Sequence, residues 1–149
     1  MRLGFSIYWF LGGAWILLFS VLSCFSLFAE QADRPSDLQF HRWTKQLSSK
    51  DWILQAEAMQ GLGRWKVESA VPEISRILRD GGSPWVRGRA MVTLGQIKGR
   101  EMLDFANQAS MDESPLLRMA ALETFELVGE NNASPVVKKL LQDSDVRVQ

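Results

Sequence analysis

A pattern of apolar residues that returns every 31 or 32 positions constrains the fold of this chain more than any other feature. Within each copy the apolar positions lie three or four residues apart, with one adjacent pair, which aligns them along one face of an α-helix. The three copies are Leu54, Ala58, Met59, Leu62 and Trp65; Val86, Ala90, Met91, Leu94 and Ile97; and Leu117, Ala121, Leu122, Phe125 and Val128. A repeat of this length predicts an all-α fold, a solenoid of about three stacked antiparallel helix pairs.

A second set of helices repeats at the same interval. Its members are Pro72, Ile74, Ile77 and Leu78, which return 63 residues later as Pro135, Val137, Leu140 and Leu141. The central copy is predicted at about 101–110, with Leu103, Phe105, Ala106 and Ala109 on its apolar face. The predicted array therefore covers 37–149: a half repeat at 37–50, units at about 51–82, 83–113 and 114–142, and the start of a further unit at 143–149. If that last start lacks a partner helix, its apolar surface would favour self-stacking through the C-terminal end.

The first thirty residues differ in kind from the rest. Residues 3–29 contain no charged side chain, a run long enough to cross a bilayer as an N-terminal hydrophobic helix. Residues 1–30 are therefore interpreted as a transmembrane anchor, a cleaved signal peptide or a lipoprotein signal, and 31–36 as a linker. The third alternative depends on Val21-Leu22-Ser23-Cys24, which resembles a lipobox and would place a lipid on Cys24. Each alternative predicts a chain that is membrane-anchored or exported, with the bacterial periplasm or the outer face of the membrane as the expected location.

Composition limits the chemistry that the array can perform. From Gln31 onward the chain has 16 Lys and Arg against 16 Asp and Glu, so no net positive charge attracts nucleic acid. The single cysteine, Cys24, and the single histidine, His41, do not make a four-ligand zinc site of the usual His/Cys kind. No nucleophile with a base and no phosphate-binding loop is recognisable. We therefore predict no catalytic residue, metal site or cofactor, and a role in binding a protein.

Two features indicate where a partner protein could bind. Residues 64–100 carry 8 basic and 3 acidic side chains, whereas 101–130 carry 1 basic and 7 acidic ones. This asymmetry is either an ordinary solvated surface or a bipolar face that docks a complementary partner, with Arg89, Lys98, Glu123 and Glu126 as its main contributors. Trp52 and Trp85 occur near the starts of successive repeats, off the apolar stripe. They either anchor an interface or are buried between units.

The repeat residues resemble HEAT repeats, specifically the phycobilisome-lyase type. The matching positions are Asp80, Val86, Arg87, Ala90, Leu94 and Gly95 in one unit, Asp112, Leu117, Arg118, Ala121 and Phe125 in the next, Ala70-Val71-Pro72 at a second-helix start, and Asp143, Val146 and Arg147 at the end. The resemblance implies a ladder between units, in which Arg87, Arg118 and Arg147 reach the acidic residues Asp80, Asp112 and Asp143. The resemblance is specific for the fold and not for a function, because such arrays serve many unrelated roles. Two function hypotheses remain: a protein-binding scaffold, and an accessory, lyase-like or bilin-handling protein.

Overall fold

In the computed structural model, which describes residues 34–129 and 134–149, every regular element is a helix. The α-helices are α1 (Asp37–Gln46), α2 (Trp52–Arg64), α3 (Val71–Asp80), α4 (Pro84–Lys98), α5 (Leu103–Ala109), α6 (Pro115–Leu127) and α7 (Pro135–Leu140). Short 3-10 segments, Glu68–Ala70 and Gly99–Met102, lead into α3 and α5. The predicted all-α class is confirmed for the described residues.

The predicted N-terminal helix, any cleavage of it, the proposed lipidation at Cys24 and the first half of the linker lie outside the described residues. Within the described residues, no helix has the length and apolar character needed to cross a bilayer.

Local side-chain chemistry explains where the helices begin. The Asp51 carboxylate accepts a hydrogen bond from the Ile53 backbone N–H at 2.9 Å, and the Ser83 hydroxyl accepts one from the Trp85 N–H at 3.3 Å. These caps satisfy N–H groups that have no partner inside the first turn of α2 or α4. The first residues of α4, α6 and α7 are prolines, whose missing N–H costs nothing at that position.

Helix α4 is the centre of the core. It packs against α2, α3 and α6, and all five residues of its predicted stripe are buried. Its opposite side is covered as well, because Gly88, Val92, Thr93 and Gly95 are buried there. The small residues allow close approach: a Cβ on Gly88 would lie 3.1 Å from the Ala120 Cβ of α6. This helix is therefore enclosed from several sides, unlike a helix with a single apolar face.

The second helix of the central unit differs from its prediction. It begins with the 3-10 turn Gly99–Met102 and continues as α5 for only two turns. Met102 and Ala106 enter the core, whereas Phe105 is 50% exposed. The assignment of Phe105 to the apolar face was wrong, because the residues that face the core are spaced by four from Met102 and Phe105 lies one position out of that register.

The segment after α7 folds back onto the array. Residues 141–149 form turns, and no helix begins at Ser144. The Asp143 carboxylate accepts from the Asp145 N–H at 2.8 Å, and the Asp145 carboxylate accepts from the Arg147 N–H at 3.0 Å. Val148 is buried in the core, whereas Leu141 and Val146 are exposed at this end.

Candidate functional site

Among the described residues, Arg118 and Asp143 form the closest ion pair between successive units. The Nε and Nη2 atoms of Arg118 donate to the two carboxylate oxygens of Asp143, each at 2.7 Å. The Nη1 atom of Arg118 donates to the backbone carbonyls of Asp112 and Glu113 at 2.9 and 3.0 Å, which holds the guanidinium in place. The hydrogen bond from Arg118 lowers the pKa of Asp143 to about 2, with a further contribution from the Asp145 N–H.

The other residues of the predicted ladder are arranged differently. Arg147 bonds Asp145 within its own turn, with its Nε and Nη2 atoms at 2.9 and 2.7 Å from the carboxylate oxygens. Among the described residues, neither Arg87 nor Asp80 forms an ion pair within 4.0 Å. The Asp112 carboxylate instead accepts from the Ser114 N–H at 2.8 Å. The structure thus brings together one cross-unit pair of the predicted set, and this pair stabilises the array without forming an accessible site.

A groove runs across the first helices of the three units, α2, α4 and α6. We call it the tryptophan groove; it has a volume of about 440 Å³. Its apolar lining consists of Trp52, Ile53, Ala56, Trp85, Gly88, Val92, Leu116, Met119 and Ala120, and its polar lining of Glu57, Gln60, Arg89 and Glu123. A mainly apolar depression with a few polar groups at its edges is typical of binding sites.

The two tryptophans form one wall of this groove. Their rings meet edge to face, with centroids 5.0 Å apart and planes at 79°. Trp52 is 55% exposed, whereas Trp85 is half-buried against the core. Of the two alternatives for these residues, burial between units does not hold for Trp52. A large aromatic surface that remains open to solvent gains free energy when a partner covers it.

The predicted charged residues separate into two groups. Arg89 and Glu123 face each other in the groove, with Nη1 and Oε1 3.8 Å apart. Lys98 lies at the other end of α4, where its Nζ is 3.6 Å from Glu68 and 3.5 Å from Glu101. Glu126 is exposed on α6 but does not line the groove. Part of the charge asymmetry along the sequence is therefore used in contacts within the chain.

The positions that line the groove recur in each repeat of the sequence, although the apolar stripe alone does not reveal them. With Trp52 set aside, its lining residues occupy equivalent positions of the three repeats: Ile53, Trp85 and Leu116; Ala56, Gly88 and Met119; Glu57, Arg89 and Ala120; and Gln60, Val92 and Glu123. Within each repeat these positions are spaced by three, one and three residues. This spacing places them on a second face of the helix, beside the buried stripe. The apolar residue directly before each stripe was the signal that could have located it.

A second, polar depression of about 380 Å³ lies between α1 and α2. Its lining consists of Gln39, Arg42, Trp43, Gln46, Glu57, Gln60, Gly61, Arg64 and Trp65. Glu57 and Gln60 line both depressions, so the two are neighbours on one surface. We call this second site the polar depression.

Metal-ligating residues do not cluster in the part of the chain that the structure describes. No group of three or more His, Cys, Asp and Glu side chains is placed there to hold a metal ion.

Comparison with known proteins identifies the repeats. Residues 41–109 and 81–149 each match the family model described as HEAT repeats. Over 78 residues the chain is 33% identical to a deoxyhypusine hydroxylase from Xenopus laevis. That alignment covers 52% of this chain and 26% of the hydroxylase, so the chain spans about a quarter of the relative's length. No solved structure gives a significant match.

Proposed function

The chain belongs to the HEAT-repeat family, and on this basis we propose that it is a non-enzymatic scaffold that binds a protein segment in the tryptophan groove. The observation that carries the proposal is the open apolar surface around Trp52, a residue that is more than half exposed while its neighbour Trp85 is packed on the core. Ile53 and Met119 extend the exposed apolar surface to either side.

The composition of the groove supports a protein partner. Tryptophan and methionine are enriched at protein interfaces, and a buried tryptophan commonly dominates the free energy of binding. The groove also lies on a rigid support, because its central residues belong to the enclosed helix α4. A rigid apolar surface binds a partner segment without first having to be ordered, which keeps the entropic cost of binding low.

A photo-crosslinking experiment tests this function. A photoreactive amino acid replaces Met119 in the groove, and in a matched chain it replaces Met111, which is exposed outside the groove. We expect the Met119 probe, in cells that normally make the protein, to capture a protein that the Met111 probe does not capture. Adding Trp52→Ala should reduce that capture. Equal capture at both positions, or capture that is indifferent to Trp52→Ala, would contradict the proposal.

We further propose that residues 3–29 bring this scaffold to a membrane, as an anchor or an export signal. The support is the absence of charged side chains over that run, which matches the length needed to cross a bilayer. Two arginines in its centre (Leu17→Arg with Leu18→Arg) should shift the chain from the membrane or exported fraction to the cytosol. Leu38→Arg, at an exposed position of α1, is the matched control and should leave the distribution unchanged.

A second candidate function, as an accessory protein in an enzymatic modification, is favoured by one observation. This is the partial similarity to a protein named deoxyhypusine hydroxylase. The alternative predicts that the full chain carries a bound group when it is purified from its own cells. A stoichiometric chromophore in the absorption spectrum, or a stoichiometric metal by elemental analysis, would favour it over the scaffold.

A further inference from the structure

We propose that the protein segment bound in the tryptophan groove is rich in proline and crosses the groove as a polyproline II helix, with one turn of that helix on each repeat. The inference rests on the proposed function, because it specifies the chemistry of the same partner. It commits to one occupant, an uncharged segment of another protein in which proline follows a three-residue repeat.

The groove presents similar positions three times at a regular distance. Ile53, Trp85 and Leu116 occupy equivalent positions of α2, α4 and α6, and these helices pack side by side. The axes of packed helices lie about 8–10 Å apart. A polyproline II helix has three residues per turn and rises about 3.1 Å per residue, so one turn advances about 9 Å. A segment in this conformation therefore brings the same edge to each repeat, whereas a β-strand, which repeats every 6.6–6.8 Å or so, loses register.

The two tryptophans offer the surface that proline rings prefer. Their rings stand at 79° to each other, so they form an aromatic corner. The same two residues border a second pocket of about 320 Å³, together with Ser83 and Val86. Indole surface is thus accessible from two depressions. Proline-rich segments dock on aromatic-lined grooves, and they lose little conformational entropy because the proline ring already fixes the backbone.

Small residues keep the path along the groove open. Ala56, Gly88 and Ala120 line it and have no side chain beyond Cβ. They belong to three different helices, α2, α4 and α6. A continuous segment therefore meets no long side chain at these points as it passes from one repeat to the next.

The groove also has hydrogen-bond donors without partners. Among the described residues, the indole N–H groups of Trp52 and Trp85 and the amide of Gln60 form no hydrogen bond. No buried side-chain nitrogen or oxygen in the described part of the chain lacks a partner, so the Trp85 N–H is accessible from solvent. A polyproline II helix has no internal hydrogen bonds, and its carbonyls are free to accept. Because proline has no N–H, such a segment needs donors more than acceptors.

The charges of the groove favour an uncharged segment. Arg89 and Glu123 face each other at 3.8 Å, so their charges largely offset one another. Glu57, the remaining carboxylate of the groove, also lines the polar depression, where Arg42 has the opposite charge. No charge of either sign therefore dominates the surface, and a neutral occupant buries no unpaired charge against it.

Fluorescence anisotropy with three labelled nonapeptides tests the inference on the full chain in a non-ionic detergent. The first is Pro-Leu-Pro repeated three times. The second has the same composition in blocks, as Pro-Pro-Pro-Leu-Leu-Leu-Pro-Pro-Pro, and the third is Ala-Leu-Ala repeated three times, which favours an α-helix. We expect the repeated proline peptide to bind about tenfold more tightly than the alanine peptide and about fivefold more tightly than the block peptide. Between 0.1 and 1 M NaCl its affinity should change by less than about twofold, because no ion pair is involved.

Two groove variants and one control locate the binding. Trp52→Ala should weaken binding of the repeated proline peptide about tenfold. Met119→Glu places a charge at an exposed position of the groove and should also weaken it, so the test does not depend on one variant. Phe105→Ala removes a half-exposed aromatic ring outside the groove and should leave the affinity unchanged.

The outcomes separate this inference from the proposed function. Equal affinities for the proline and alanine peptides that fall with Trp52→Ala would overturn the proline preference and leave the scaffold function intact. Equal affinities for the repeated and block peptides would overturn the match of one turn per repeat. Proline binding that survives both groove variants, or that is lost at 1 M NaCl, would overturn the inference. If none of the peptides binds, the inference is overturned, and crosslinking at Met119 still decides the proposed function.

Discussion

At the scale of single residues, the pair formed by Arg118 and Asp143 shows why repeat chemistry alone does not determine contacts. Arg87 occupies the equivalent position one unit earlier, yet it forms no ion pair among the described residues. Arg118 differs because two backbone carbonyls, of Asp112 and Glu113, hold its guanidinium towards Asp143. A carboxylate that is held in this way stays ionised in acid far below its ordinary range.

The lowered pKa of Asp143 predicts a specific pH dependence of stability. The folded-state value is about 2, below the ordinary 3.8, so the pair stabilises the fold fully above about pH 4 and loses its contribution as the pH falls towards 2. Asp143→Asn should therefore destabilise the protein at pH 7, and its difference from the parent should shrink between pH 4 and pH 2. Urea unfolding at several pH values measures this. A difference that stays constant over that range would contradict the prediction.

Ala90 tests whether the small residue of the stripe is required by packing. It is fully buried on α4, and the close packing of protein interiors leaves little room for a larger side chain. We expect Ala90→Leu to lower the free energy of unfolding by about 1–3 kcal/mol through overpacking. Gln108→Leu adds a leucine at an exposed position of α5 and should stay within about 0.5 kcal/mol of the parent. If Ala90→Leu melts at the temperature of the parent, the site must be able to expand.

At the scale of the helices, glycine within a helix marks a close approach. Gly61 lies inside α2, where glycine is less favourable than alanine. A Cβ there would lie 2.5 Å from the Trp43 ring of α1. The position is thus the contact by which α1 covers the end of the array, and it also shapes the polar depression.

Gly61→Ala should consequently weaken the docking of α1 on α2. Alanine improves helix propensity by up to about 1 kcal/mol, but the overlap with the Trp43 ring costs about 1–3 kcal/mol, so we expect net destabilisation. Faster hydrogen exchange in α1, with little change in α4, would be the local sign of this effect. Gly82→Ala is the control, because a Cβ at Gly82 meets no atom within 4 Å. Unchanged exchange in α1 would show that Trp43 moves aside without cost.

At the scale of the whole molecule, the buried apolar residues of the array form one continuous core, from Leu47 to Val148. Its units are not independent, since α4 packs against both neighbouring first helices. The segment after α7 joins this core through Val148 and through the bond between Asp143 and Arg118.

Two valines in that segment provide a matched test. Val148 is 1% exposed, whereas Val146 is 80% exposed. Val148→Asp places a charge in the core and should destabilise the protein by about 3 kcal/mol. Val146→Asp should change stability by less than about 0.5 kcal/mol. Thermal unfolding of both variants measures the difference, and equal melting temperatures would mean that the segment does not contribute to the fold.

Much of this architecture could be predicted from the residues alone, because helices are specified locally. The spacing of the stripe, the capping residues Asp51 and Ser83, and the prolines at helix starts each act within a few positions of the chain. The period of 31 or 32 residues then led to the repeat family, and the match to HEAT repeats confirms it. The second helical face that forms the tryptophan groove was also encoded there, at equivalent positions of the three units.

What only the tertiary structure decided is which faces stay open and which partners meet. Phe105 was placed on the apolar face of its helix and is half exposed, because Met102 and Ala106 are the residues of this segment that face the core. Ile53 and Trp85 occupy equivalent repeat positions, yet Ile53 is 52% exposed and Trp85 is half-buried against the core. These outcomes depend on contacts between helices about thirty residues apart, and a local pattern does not specify the distance or rotation at which such helices stack.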